Sequence, residues 1–220
     1  MANPWHRRDW FWWHVCYFLL RKANPYCFSR ANRSRCASYS WPAGCGNGKS
    51  TAPEAGYSFA EQFTDLEAVI KGLDIEQFYL MSYSMGVPYA VQAAIKYPQK
   101  LKGLIICDYS ARIPQVPNGW AQNLIDNDKI EPERAHVVKA IERELKSVDL
   151  TEELNQIQCP VLVMRGLKEG SLLKDAKLEE YKNRLNHLEI IEFENSGHEL
   201  WHPDVEYFRD TIQAFMKKYD

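Results

Sequence analysis

The chain has 220 residues, of which 45% are hydrophobic and 25% charged, with a formal net charge of −2. These values fit one soluble globular domain with its own core and exclude a polybasic surface for nucleic acid or an anionic membrane. The average conceals a break, because up to Ser50 there are eight basic residues against one acid, Asp9, with five of the seven tryptophans and four of the six cysteines, while the remainder carries the acid excess.

The first 45 residues show no periodicity of helix or strand, and no glycine precedes Gly44. Cys16, Cys27, Cys36 and Cys45 lack the paired C-x-x-C spacing of a zinc site, and no signal peptide precedes them, so free thiols and a cytoplasmic location are expected. "WFWWHVCYFLL", residues 10–20, falls short of the roughly 20 apolar residues of a membrane span. "AGCGNGKST", residues 43–51, has the Gly48-Lys49-Ser50 ending of a phosphate loop. Such a loop must follow a buried strand and open a helix. Pro53 and Gly56 stand where that helix would run, so Lys49 is expected in an exposed turn and nucleotide binding is rejected.

From Ser58 the local signals agree. Ser58 and Glu61 form a capping box, Phe59, Phe63, Leu66 and Ile70 follow at helical spacing, and Gly72 marks a stop, which predicts a helix over 59–71. "FYLMS" (78–82) predicts a strand and "VPYAVQAAIKYP" (87–98) a helix, with Pro88 in its first turn. "LKGLIICD" (101–108), "PVLVMRG" (160–166) and "LEIIEF" (188–193) read as further buried strands. A polar helix is expected at about 173–185, and Val205, Phe208, Ile212 and Phe215 mark a closing helix. Strands of continuous hydrophobicity alternating with helices imply the α/β class: a mostly parallel sheet with helices on both faces. Residues 109–150 interrupt the alternation with "SARIPQVPNGW" and a charged helix near 132–146. They are expected to form a lid over the strand ends, with Ile113, Val116 and Trp120 shaping an apolar pocket.

The chemistry concentrates in two loops. "SYSMG" (82–86) joins a strand to a helix, a sharp turn that exposes the hydroxyl of Ser84 and aims the Met85 N–H at a developing oxyanion. "SGHELW" (196–201) follows the last strand and brings His198 to the same sheet edge. A serine nucleophile needs an imidazole to accept its proton and an acid to orient that imidazole. Glu169, three residues beyond Gly166, is the first choice for the acid, Asp108 the second and Asp175 the third. Tyr83, beside the serine, and Trp120 are candidates for substrate contact.

From about Gly46 to its end the chain resembles the alpha/beta-hydrolase superfamily in its serine-nucleophile branch. The resemblance rests on "SYSMG", on "CPVLVMRGLKEGS" with Glu169 at the acid position, on "SGHELW", and on "GNGKS", whose Gly46, Gly48 and Ser50 match a turn common in that family. It implies an alpha/beta-hydrolase fold and a Ser84–His198–Glu169 triad acting on a small ester, thioester or related acyl substrate, with no metal or organic cofactor. Ser84, in place of an aspartate, argues against the epoxide-hydrolase and dehalogenase branches. Acyl transfer and cofactor-free perhydrolysis use the same constellation.

Upstream, Ala43 and Cys45 stand where the resemblance implies Asp and Arg, and no His-Gly pair supplies the second oxyanion donor. Residues 1–45 are therefore expected to be foreign to the family pattern, translated out of frame or otherwise substituted. The alternative is a divergent N-terminus in which "HVCYFLL" is a strand. A hydrolase fold without catalysis, for want of that second donor, is the competing functional expectation.

Overall fold

A computed structural model describes residues 16–20, 38–40, 52–72 and 76–220. Gly46, Gly48, Lys49 and Ser50 lie outside the described residues, but residues 52–58 after them hold no helix. Among the described residues, one sheet has six strands in the order β2 (Ser38–Ser40), β1 (Cys16–Leu20), β3 (Phe78–Tyr83), β4 (Leu101–Cys107), β7 (Val161–Gly166) and β8 (Leu188–Phe193). Strands β3, β4, β7 and β8 are mutually parallel, whereas β1 runs antiparallel to both β2 and β3. The strand that the alternative expectation places in "HVCYFLL" is thus present as β1.

Among the described residues six α-helices accompany the sheet: α1 (Phe59–Gly72), α2 (Val87–Lys96), α3 (Trp120–Asp126), α4 (Ala135–Glu144), α5 (Asp175–Arg184) and α6 (Val205–Tyr219). The pleat sorts β3 onto two cores. Phe78 and Leu80 share one core with Phe63, Leu66 and Ile70 of α1, Val91 of α2 and Tyr181 of α5 on one face. Tyr79, Met81 and Tyr83 meet Phe208, Ile212 and Phe215 of α6 on the other. Each large side chain so buried contributes about 1.5–3 kcal/mol by leaving water. Helices on both faces are what the unbroken hydrophobicity of the parallel strands requires.

The helix starts obey local chemistry. In α1 the Ser58 hydroxyl accepts from the Glu61 N–H at 3.3 Å and the Glu61 carboxylate accepts from the Ser58 N–H at 3.2 Å, which completes the capping box. Asp204 caps α6 by accepting from the Glu206 and Tyr207 N–H groups. Glu67, buried on the α2 side of α1, accepts from Lys96 at 2.7 Å and from the Tyr97 hydroxyl. The hydrogen bond from Lys96, then that from Tyr97, holds its carboxyl below its ordinary value of 4.5. A lowered folded-state value stabilises the fold above pH 4.5 and that contribution fades as pH falls below it. Urea titrations from about pH 3 to 7 are therefore expected to show Glu67→Gln less stable than wild type near neutrality, with the two curves converging in acid.

The 109–150 excursion is more structured than its sequence suggests. β5 (Arg112–Ile113) pairs antiparallel with β6 (Val148–Asp149) and closes its base, where Arg112 also bonds Thr151 and Glu180. The charged helix begins at Ala135, after a 3-10 turn over Pro132–Arg134 that opens on Pro132, where the missing N–H costs nothing. Helix α3 has no periodic sequence signal and follows Gly119, whose φ of 82° reverses the chain. Glu142 of α4 accepts from the Gly119 and Ala121 N–H groups and anchors its start. Glu144 accepts from the N–H groups of Gly56 and Tyr57, tying α4 to the stretch before α1. No helix among the described residues is long and apolar enough to cross a membrane.

Candidate active site

Because β3, β4 and β7 are parallel and in register, Tyr83 pairs with Cys107, and Cys107 with Met164. The residue after each strand therefore emerges at one edge of the sheet, and the loop after β8 returns to the same edge. Ser84 follows β3 with φ 54°, opening a 3-10 turn over Ser84–Gly86 that leads directly into α2. A left-handed conformation at a residue with a Cβ costs of order 1–3 kcal/mol and persists only where the surrounding fold imposes it. Here it swings the hydroxyl out of the strand direction, toward the loop carrying His198.

The His198 Nε2 lies 3.0 Å from Ser84 Oγ, and its Nδ1 lies 2.7 Å from Asp108 Oδ2. With Nδ1 protonated, the imidazole donates to Asp108 and presents a lone pair to the serine, the arrangement needed to accept the hydroxyl proton. Ser84 and Asp108 are fully buried, and the His198 side chain is 9% exposed. A buried carboxylate is costly unless its oxygens are satisfied. Asp108 also accepts from Ser171 Oγ at 2.6 Å, the Leu172 N–H at 2.9 Å and the Gly166 N–H at 3.3 Å. Asp108 is itself at φ 50°, a conformation that Asp tolerates better than most residues.

The acid is where the sequence reading requires correction. The carboxylate against His198 belongs to Asp108, the second choice, and not to Glu169. Glu169 is exposed, and its contribution to the site is its backbone carbonyl, which packs close to Gly197. Asp175 opens α5 and pairs with Arg165 at 2.6 Å. The physical reason is lateral order: β4 stands between β3 and β7, so its end adjoins the serine turn, whereas β7 is one strand further away.

The other expected site residues separate in the same way. Met85 directly follows the serine, half-buried against the main core. Tyr83 is buried, its ring stacked on the His198 imidazole with centroids 4.5 Å apart, while Trp201 meets it edge-on at 5.0 Å. Tyr83 thus backs the imidazole. Trp120 packs on Ala121, Leu124, Ile130 and Val138 within the excursion, and Ile113 is a core residue. Ser171, Leu172 and Trp201 were missed, since nothing in "EGSLL" or "HELW" distinguishes them locally. Among the described residues no cluster of His, Cys, Asp or Glu is placed to hold a metal. Cys107 and Cys159 are buried free thiols, and burial raises both, Cys159 to about 11.

The loop after β7 and the histidine loop are locked backbone to backbone. The Lys168 N–H donates to the Ser196 carbonyl at 2.9 Å. A Cβ on Gly166 would stand 2.1 Å from the Gly197 carbonyl oxygen, and one on Gly197 would stand 2.6 Å from that of Glu169. Gly166→Ala must therefore push the His198 loop away. It is expected to destabilise the fold by about 3 kcal/mol, lowering Tm by roughly 10 °C in a calorimetric scan.

Comparison with known proteins places these features in context. The model of the alpha/beta hydrolase fold family matches residues 11–135, and so extends into the stretch that the motifs left outside the resemblance. The chain is 24% identical over 209 residues to YisY, an AB hydrolase superfamily protein of Bacillus subtilis, covering 77% of this chain and 78% of that protein. Among solved structures it is similar to MGS-M2, an alpha/beta hydrolase enzyme from a Medee basin deep-sea metagenome library. The TM-score is 0.64 at 18% identity, over 79% of this chain and 77% of that one. It is also similar to the esterase EaEST from Exiguobacterium antarcticum, with a TM-score of 0.62 at 21% identity over 79% of each chain.

Proposed function

This chain belongs to the alpha/beta hydrolase fold family, and we propose that it is a serine hydrolase of small ester, thioester or related acyl compounds, working through Ser84, His198 and Asp108. The observation that carries the proposal is the continuous hydrogen-bond chain from the Ser84 hydroxyl through His198 to Asp108. Ser84 Oγ attacks the acyl carbonyl as His198 Nε2 takes its proton. The same nitrogen then protonates the leaving group, and Asp108 stabilises the imidazolium between these steps. The Met85 N–H, at the entry to α2, meets the developing oxyanion, where the amide dipoles of a helix start favour negative charge. Water, activated by His198, releases the acyl group.

Two further observations support this reading. The left-handed Ser84 is a strained residue at the start of a helix, and such strain concentrates where mechanism requires it. The similar structures include a protein named as an esterase. In this reading the 109–150 excursion is the lid, standing in the chain directly after the strand that supplies Asp108.

The test is reaction of the purified protein with a fluorophosphonate probe, read by intact mass. One probe adduct per chain, mapped to Ser84, supports the proposal. A folded protein that takes up no probe would favour a hydrolase fold without catalysis. Product analysis with water, alcohol and thiol acceptors then separates hydrolysis from acyl transfer.

A further inference from the structure

Asp108 leaves its strand with four hydrogen-bond donors around two oxygens, and three of the four come from one segment, the end of β7 and the loop that follows it. Gly166 donates its N–H to Oδ1, Ser171 its hydroxyl to the same oxygen, and Leu172 its N–H to Oδ2. The backbone donors survive any substitution but proline, whereas the Ser171 hydroxyl is lost in alanine. It makes the shortest of the three contacts, at 2.6 Å, from a side chain within a residue only 4% exposed. Oδ2 is shared between Leu172 and His198, so rotation of the carboxylate about its Cβ–Cγ bond would break the bond to the imidazole. The contacts of Oδ1 oppose that rotation.

We infer that Ser171 is a positioning residue: by pinning Oδ1 it orients Asp108, and through Asp108 it sets the His198 ring against Ser84. The inference rests on the triad proposed above. The segment that carries Glu169 thereby serves as a receptor for a carboxylate delivered by the neighbouring strand. Its clasp on Asp108 and the Lys168 bond to Ser196 bind the acid and histidine loops into one unit. Ser171 has no route to the substrate in this role, so its loss is expected in kcat, with KM little changed.

The experiment compares wild type, Ser171→Ala, Ser171→Thr, Asp108→Asn and the Asp108→Asn/Ser171→Ala double variant on a short p-nitrophenyl ester. It also records the proton NMR resonance of the His198 Nδ1–H shared with Asp108. Folding of each is checked by circular dichroism. Ser171→Ala is expected to lower kcat by about 10- to 100-fold, as befits a lost hydrogen bond to a buried charged group, and to broaden or shift the resonance. Ser171→Thr retains the hydroxyl and is expected to restore both. In the Asp108→Asn background the alanine substitution is expected to add little, since residues acting through one another are not additive.

A folded Ser171→Ala protein with wild-type kcat and an unchanged resonance would overturn the inference. So would losses that multiply in the double variant, or a wild-type spectrum without the bridging proton. Should wild type show no turnover and no fluorophosphonate adduct, the serine-hydrolase reading fails by itself, and the resonance still decides whether Ser171 orients the Asp108–His198 pair.

Discussion

Ser84→Ala is expected to abolish fluorophosphonate labelling and to lower kcat on an activated acyl ester by about 10⁶-fold, the order seen when a serine nucleophile is removed from a triad. The effect is large because the residues act as a unit. With Oγ gone, the His198 Nε2 has no proton to take, and correct placement of Asp108 contributes nothing. The fold is expected to survive. Ser84 Oγ hydrogen-bonds His198, and its removal leaves a small void next to a ring still held by Asp108 and Tyr83. Alanine keeps the strained φ of 54°. A calorimetric scan showing a Tm close to wild type, with labelling lost, assigns the effect to chemistry. Persistent labelling of the Ser84→Ala protein would remove Ser84 as the nucleophile.

The second large effect separates the two candidate acids. Asp108→Asn is expected to lower kcat by about 10⁴-fold with the geometry retained, because an amide can offer His198 a donor where an acceptor is needed and so selects the wrong tautomer. The side chain would also confront the donors Ser171 Oγ, Leu172 N–H and Gly166 N–H with one acceptor oxygen in place of two. Some loss of stability should therefore accompany the loss of rate. Glu169→Gln, by contrast, changes an exposed side chain whose backbone alone meets the His198 loop. Its kcat is expected to stay within about threefold of wild type, in keeping with a surface substitution. Steady-state kinetics on the two variants side by side decide the matter, and a reversal of their order would restore the acid to the loop after β7.

The error over the acid is instructive because both residues satisfied the same local description. Asp108 and Glu169 each follow a buried strand of a parallel sheet, and each precedes His198 in the chain. Hydrophobic runs reveal where strands end but not which strands are neighbours. One available signal pointed the right way: consecutive strands lie beside each other more often than not, so the strand after the serine turn was the natural place to look. The position of Glu169, three residues beyond Gly166, put it first instead. Ser171, Leu172 and Trp201 carried no signal at all, since their roles arise from loops that meet across the sheet edge.

The excursion shows the same division. Its charged helix was legible from Val138, Ile141 and Leu145, yet α3 and the β5–β6 pair were not. Their stability comes from Glu142 reaching the Gly119 and Ala121 amides and from Arg112 reaching Thr151 and Glu180, contacts from 21 to 68 residues apart. Trp120, expected to face substrate, packs half-buried against the small core those contacts create.

What is local in this protein could be read residue by residue: the capping box at Ser58, the hydrophobic strands, the class of fold, the serine on its turn and the histidine after the last strand. These follow from backbone sterics and periodicity, which act over a few neighbouring positions. The partner of His198, the stacking of Tyr83 and the clasp of Ser171 were decided only when the strands took their lateral order. Hydrogen bonds of 2.6 to 3.0 Å between residues 63 to 114 positions apart depend on how crossovers place strand ends in space, and no short stretch of sequence encodes that.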